Sequence, residues 1–578
     1  MKYYPTLQEL NTNREWLDVF KGYNHNLRIG EGEFYEMTNL SSDNYPLLSP
    51  RSKRGTYASP ALPQGMVAKD ALCYIDGGDF IINEYRVPMG LTADDKPKTL
   101  ISMGAYVIIM PDKKYINTAD LTDYGPIEAA VATSAATTFT LCKLDGAEYD
   151  NVKTQGTAPS DPKNLDFWID TSETPHILKQ YSATTAMWSD IATTYIKISS
   201  PGIGIPFEVN DGVTITGVER LPDLNAALVI WAKGDNYIVV TGILDEVTTQ
   251  QTSIMVTRTM PNMDFIIESE NRLWGCRYGQ ALNGEIVNEI YACKLGDFKN
   301  WNCFMGISTD SYVASVGTDG QFTGAITHLG YPLFFKENCV HKVYGNYPAN
   351  YQIQTTTCRG VQKGCERSLA IVNEVLYYKA RSGICSYDGS LPSEISSALG
   401  DVSYSKAVAG SLGNKYYISM LDTEGDYHLF VFDTLKGMWH REDDTEALDF
   451  CNCRGDLYYI DHADNQIKTI KGTGVKEIKP IRWEAVTGII GTDSPDKKYI
   501  SRMDVRMKLD VGSRVIFYVE YDSSGTFEHL FSMTGKSLQS FAAPIRPRRC
   551  DHLRLKIVGE GEAKVYSICK TVEWGSDK

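Results

Sequence analysis

Ala71-Leu-Cys-Tyr-Ile-Asp-Gly-Gly-Asp-Phe-Ile-Ile82 is a short apolar strand, a polar turn and a second apolar strand. The phrase returns as Ala105-Tyr-Val-Ile-Ile-Met-Pro-Asp-Lys-Lys-Tyr-Ile116 and as Ala227-Leu-Val-Ile-Trp-Ala-Lys-Gly-Asp-Asn-Tyr-Ile-Val-Val240. Further copies run from Arg272 to Leu295, Pro332 to Tyr344, Val375 to Tyr387 and Lys415 to Phe432, and the last is Asp456-Leu-Tyr-Tyr-Ile-Asp-His-Ala-Asp-Asn-Gln-Ile-Lys-Thr-Ile470. β-Branched and aromatic residues flanking Gly, Asp or Asn turns make each copy a β-hairpin. Once one long interruption is set aside, the copies recur roughly every 40 residues, the period of four-stranded propeller blades. The expectation is an all-β chain built on a β-propeller of seven or eight blades.

Working outward from the repeat, residues 1–60 read as an N-terminal extended arm that ends in the basic segment Tyr45-Pro-Leu-Leu-Ser-Pro-Arg-Ser-Lys-Arg-Gly55. Charge runs of this kind are usually solvated, so Lys and Arg are expected in water, or against a neighbouring subunit. Residues 61–126 form the first part of the propeller, and residues 127–207 interrupt it with a small inserted β-module. Its strands read Phe167-Trp-Ile and Ile177-Leu-Lys-Gln-Tyr between Pro-rich turns. Residues 208–472 complete the propeller. In residues 473–578, Met503, Val505, Met507 and Leu509 alternate with Asp504, Arg506 and Lys508, as on a sheet with one wet face, which predicts a C-terminal β-sandwich. Open ends of a propeller would expose strand edges, so the arm, or a strand near Phe34 to Leu40, is expected to complete the last blade beside residues 456–470.

The 578 residues are 43% hydrophobic and 22% charged, an ordinary globular balance. No apolar run approaches the roughly 18 residues of a membrane-spanning helix, and Met1-Lys-Tyr-Tyr-Pro-Thr-Leu-Gln-Glu-Leu has no signal-peptide core, so synthesis in a cytoplasm is expected. Thirteen scattered cysteines do not resemble a disulfide framework and read as free core thiols. The net charge of -15 is uneven: residues 1–60 balance, residues 473–578 carry about +4, and about -19 falls on the region between. So acidic a body does not grip nucleic acid, although it could surround it.

Several residues have the right type for chemistry and the wrong company. Ser386-Tyr-Asp-Gly-Ser390 and Asp522-Ser-Ser-Gly-Thr-Phe527 approach the Ser-x-Asp-x-Gly-x-Thr-Trp box of sialidase-like blades, complete it in neither case, and read as hairpin turns. Cys451 and Cys453 share a strand face with His462 not far along, but tetrahedral zinc needs four such ligands and no second pair stands at suitable spacing, so both read as buried core thiols. Cys358 and Cys365 bracket a loop that a disulfide could close. Arg441-Glu-Asp-Asp444 with Glu446 could attract a cation but reads as a solvated edge loop. Trp168 or Trp188, if exposed, could stack on a sugar, and a core role is the simpler reading. No catalytic residue, cofactor site or metal site is expected, and no enzyme.

Val431-Phe-Asp-Thr-Leu-Lys-Gly-Met-Trp-His-Arg-Glu-Asp443 resembles a phrase of propeller-type structural proteins of tailed bacteriophages, a strand followed by a Lys-Gly-x-Trp turn. Glu33-Phe-Tyr-Glu-Met-Thr-Asn-Leu-Ser-Ser-Asp-Asn-Tyr-Pro-Leu-Leu-Ser-Pro-Arg51 and Lys498-Tyr-Ile-Ser-Arg502 point the same way. So does the insert, where Pro162 to Asp170 resembles a Pro-x-x-Gly-Asp-x-Trp-x-Asp pattern with Leu165 in place of Gly. The resemblance is to the tail hub, nozzle or packaged-DNA stabilisation proteins. It implies a homo-oligomeric ring, commonly a hexamer, attached below the portal and adaptor in the virion tail. Such a ring encloses the channel through which double-stranded DNA leaves, and is made in the host bacterial cytoplasm. The alternative is a tail-tip propeller that binds or hydrolyses glycans for receptor binding.

Overall fold

The computed structural model describes residues 12–150, 152–191, 193–281, 284–491, 497–535, 537–543 and 548–574. The chain is all-β: among the described residues the only helical elements are four three-residue 3-10 turns. Two compact units are present, one of Met1–Thr99, Phe335–Val340 and Thr356–Lys578, the other of Leu100–Phe334 and His341–Thr355.

Among the described residues, and apart from the four-stranded sheet of 152–190, seven sets of four strands lie side by side as meanders, six of them in chain order and the seventh with one strand from the arm. In the first unit they are strands 63–88, 370–394, 405–441 and 447–469, the last completed by Gly55–Ala58. The turns explain the hairpins locally. Ile82 and Tyr85 are joined by Asn83 and Glu84, both at positive φ, the two-residue geometry whose twist matches that of the strands. Successive sheets then bury apolar faces on one another. Leu412, Tyr417, Leu429 and Val431 pack against Leu457 and Tyr459. Met66 and Leu72 pack with Cys451, Tyr458, Ile460 and Ile467.

The last of these sheets is completed from within the arm, by Gly55–Ala58 paired to Thr469–Ile467, and of the two strands the sequence offers the one near Phe34 to Leu40 lies elsewhere. The approach there requires glycine, because a Cβ on Gly55 would stand 2.1 Å from the Thr473 carbonyl oxygen. Phe34 and Met37 are instead almost fully buried where Phe34–Thr38 pairs with Glu484–Thr487. The arm is therefore no extended tail: six short strands lie between Thr12 and Ala58. Its residues 1–11 lie outside the described residues.

In the second unit the meanders of strands 99–126 and 265–315 share a core of Ile101, Ile108, Ile127, Ile266, Leu273 and Trp301. Between them the interruption is longer than the sequence suggests. Ala129 pairs with Arg258, and one core runs from Phe139 through Phe167 and Val213 to Val256. Residues 208–258, expected to resume the repeat, belong to this body. Ala227–Val229 pairs with Gly212–Thr214, and Tyr237–Gly242 pairs with Thr194–Ser199.

The last hundred residues contribute two sheets. One joins Thr12–Leu17, Ala563–Trp574, Lys498–Leu509 and Gln539–Ala543. The other continues outward from Arg482–Thr487 through Leu553–Glu560 and Arg514–Tyr521 to Glu528–Thr534.

Candidate functional site

The densest polar construction in the first unit is the seat of the arm. Gly22–Tyr23 pairs with Trp439 on one side and runs parallel to Glu33–Phe34 on the other. Since Phe34–Thr38 also pairs with Glu484–Thr487, these strands stitch the meander 405–441 to the terminal strands in one ten-stranded sheet. Gly22 sits at φ +88°, and a Cβ there would lie 2.4 Å from the Trp439 carbonyl oxygen, so the stitch requires glycine.

Beside it the basic segment meets the acidic run. The Arg54 guanidinium is buried, 2.7 Å from Glu442 Oε2 and 2.7 Å from Asp443 Oδ2, and it donates to Thr445 Oγ1 and the Tyr459 hydroxyl. Arg51, also buried, grips Glu477 with both terminal nitrogens at 3.0 and 3.2 Å, and its Nε donates to Asn39 Oδ1. Burial pushes the Asp443 carboxyl up, but Arg54, Arg51 and Thr445 outweigh it and hold the group below the ordinary range. Glu477 is lowered in the same way, burial being outweighed by Arg51. These contacts correct the expectation for both segments: Arg51, Arg54 and Glu442 are not solvated. Each charge run, read alone, belongs in water. Paired across almost 390 residues they satisfy one another.

A cleft of about 390 Å³ opens next to this network, lined by Ser42, Asp43, Arg51, Lys415, Asp433 and Lys436 among others. Several of its polar groups already hold one another. Lys415 Nζ is 2.6 Å from Asp43 Oδ1, and the Ser42 hydroxyl donates to Asp433 Oδ2 at 2.6 Å. His440 is buried nearby, and among the described residues its Nδ1 has no hydrogen-bond partner. Burial, reinforced by Lys415 and opposed by Asp433 and Asp43, pushes its imidazole down to about 3, so the ring is neutral at pH 7.

The other candidates fall apart in space. Trp168 is buried, donates through Nε1 to the Gln155 carbonyl, and has Lys179 and the Trp188 ring against it at 5.1 and 5.4 Å, which leaves no face for a sugar. Cys451 and Cys453 are buried beside Met66 and Tyr458, with burial pushing both thiols up. His462 pairs with Glu446 at 2.9 Å instead. Among the described residues no group of three or more His, Cys, Asp or Glu is placed to hold a metal. Cys358 and Cys365 form no disulfide with each other. Ser390 closes a turn on Asp388, and Asp444 at the end of the acidic run is exposed.

Asp522 to Phe527 is a hairpin turn between Arg514–Tyr521 and Glu528–Thr534, with Asp522 and Ser523 both at φ +49°. It also brings a serine hydroxyl against a histidine ring. The Ser523 hydroxyl lies 2.7 Å from His552 Nε2, and His552 Nδ1 lies 3.1 Å from Asp551 Oδ2. The signal missed was register: Tyr521 pairs with Leu553, which places the turn beside Asp551 and His552.

No family model matches the chain, and no curated protein sequence matches it. Among solved structures it is similar to an exo-β-1,3-galactanase from Phanerochaete chrysosporium, at 8% identity and a TM-score of 0.22, over 53% of this chain and 94% of that one. It is also similar to a glycoside hydrolase family 43 arabinoxylan arabinofuranohydrolase from Bacillus subtilis, at 7% identity and a TM-score of 0.19, over 52% and 94%. A third is a bacterial surface component of the type-IX secretion system of Porphyromonas gingivalis, at 12% identity and a TM-score of 0.27, over 92% and 80%.

Proposed function

We propose that the chain is a structural protein of a tailed-phage virion, a tail hub or nozzle component whose copies form a ring below the portal and adaptor around the DNA exit channel. In this reading the seven meanders are the blades of a β-propeller, closed by Gly55–Ala58, and the terminal pair of sheets is a β-sandwich. The observation that carries the proposal is where the resembling phrases lie. Glu33 to Arg51, Val431 to Asp443 and the strand opening at Lys498, dispersed over the sequence, contribute to one joint. Tyr23 and Asn39 bond the second phrase through Trp439 and Glu442, Ser42 holds Asp433, and Leu48 bridges to Val565 in the sheet that Lys498–Leu509 enters. A ten-stranded sheet with a buried ion cluster beside it transmits load between elements, which is what a channel wall needs.

The electrostatics suit the same task. An acidic wall repels the phosphate backbone, and repeating the chain around an axis multiplies a net charge of -15. Native mass measurement or negative-stain imaging of the purified protein tests the reading: a large closed ring, six copies being the number the resemblance implies, is expected. A monomer or trimer that turns over a polysaccharide would overturn it in favour of the glycan-acting alternative.

A further inference from the structure

From the hydrogen bonding between the Asp522–Phe527 turn and the strand that opens at Leu553, we propose that Ser523, His552 and Asp551 form a nucleophile–base–orienter relay able to cleave carboxylic esters. The inference is independent of the ring reading. Three observations support it. The two hydrogen bonds run in the required order, hydroxyl to Nε2 at 2.7 Å and Nδ1 to carboxylate at 3.1 Å. With Nδ1–H donated to Asp551, Nε2 carries a lone pair facing the Ser523 hydroxyl.

The relay is also held in place by backbone. Asp522 Oδ1 accepts from the amides of both Asp551 and His552, at 2.7 and 3.3 Å, and the Asp522 amide donates to the His552 carbonyl at 3.0 Å. Ser523 is at φ +49°, the left-handed geometry it shares with Asp522 in the tight turn closed by the Ser524 amide on the Tyr521 carbonyl. Finally, His552 lines a cavity of about 320 Å³ whose wall mixes Ile489, Ile490 and Leu553 with Glu31, Lys498 and Lys570. A hollow with apolar and charged walls, one imidazole away from the Ser523 hydroxyl, suits a small ester that carries a polar group.

In the reaction, Ser523 Oγ attacks the ester carbonyl carbon as its proton passes to Nε2, and Asp551 stabilises the imidazolium. The tetrahedral intermediate expels the alcohol, which takes that proton, and leaves an acyl-serine. Water then attacks the acyl carbon, giving its proton to Nε2. Ser523 departs with that proton, releasing a carboxylic acid. Ester and water are converted to acid and alcohol, and no other reactant is consumed.

The full chain is treated with a fluorophosphonate probe and, separately, with p-nitrophenyl acetate. Phosphonylation is expected on the peptide carrying Ser523, with ester hydrolysis lowered about 100-fold or more in S523A and H552Q and unchanged in S524A. S523G, which suits the positive φ, serves as the second nucleophile variant should S523A melt early. For the positioning residue, D551N is expected to lower kcat with KM unchanged. Absence of label at Ser523, or hydrolysis by S523A and S523G at the parent rate, overturns the proposal.

Discussion

The seam between strands 405–433 and 447–469 is filled by Leu412, Tyr417, Leu429, Val431, Leu457 and Tyr459. The seam that seats residues 39–54 on the same sheets is held by Arg51, Arg54, Glu442, Asp443 and Glu477. In the first, cohesion is roughly proportional to area and indifferent to pH. In the second it depends on a few groups that must all be present and all be ionised, since a buried charge without its partner costs more than the pair contributes. Sheets of the first unit are thus joined by apolar contact in one seam and by ion pairs in the other.

Removing the arm is the most severe way to break the comparison. A chain lacking residues 1–60 loses the strand beside Gln466–Thr469 and both arginines at once, and insoluble protein is expected on expression. Soluble protein with a normal melting profile would show that the polar seam is dispensable. Next comes Arg54→Ala, expected to destabilise by about 3–5 kcal/mol in denaturant unfolding because Glu442 is left buried and unpaired. Leu457→Ala in the apolar seam should cost about 2–5 kcal/mol. The informative difference is that R54M/E442M recovers most of the loss, whereas a second deletion beside Leu457 adds to it.

Acid separates the seams further. His440, ordinarily near 6.5 and about 3 when folded, binds its proton more readily in the unfolded chain, so folding should weaken by about 1.4 kcal/mol per pH unit as pH falls below about 6.5. His440→Gln should flatten that slope. The lowered carboxyls of Asp443 and Glu477 contribute stability above the ordinary carboxylate range and lose it below about pH 4, which adds a second, steeper limb. Melting temperature against pH from 7 to 3 reads both. The smallest effect belongs to Asp444→Ala: its pair with Arg441 is on the surface, 78% exposed on the aspartate side, and a change under about 0.5 kcal/mol is expected.

The hairpins were legible because their information is local. A phrase such as Ala71 to Ile82 carries its own alternation and turn residues, and the strands 72–76 and 79–82 lie where it puts them. What escaped depended on distant partners. Arg54 and Glu442 are each unremarkable in their neighbourhoods, and only the pairing of Gly55–Ala58 with Ile467–Thr469 brings them together. The copy at Ala227 to Val240 misled for the complementary reason, since a correct local pattern says nothing about which sheet receives it. Ser523 and His552 were equally invisible, because a hairpin turn reads the same whatever lies across from it.

The strand Gly55–Ala58 has a further consequence, in time. Its partner Gln466 lies 410 residues later in the chain. At the roughly 5–20 residues per second of protein synthesis, that strand leaves the ribosome some 20–80 s before anything exists for it to pair with. Through that interval its amides and carbonyls are an open edge, and so is Arg54 a cation without its acids. The sheet that Gly55–Ala58 completes therefore holds one strand made early in synthesis and the rest made late.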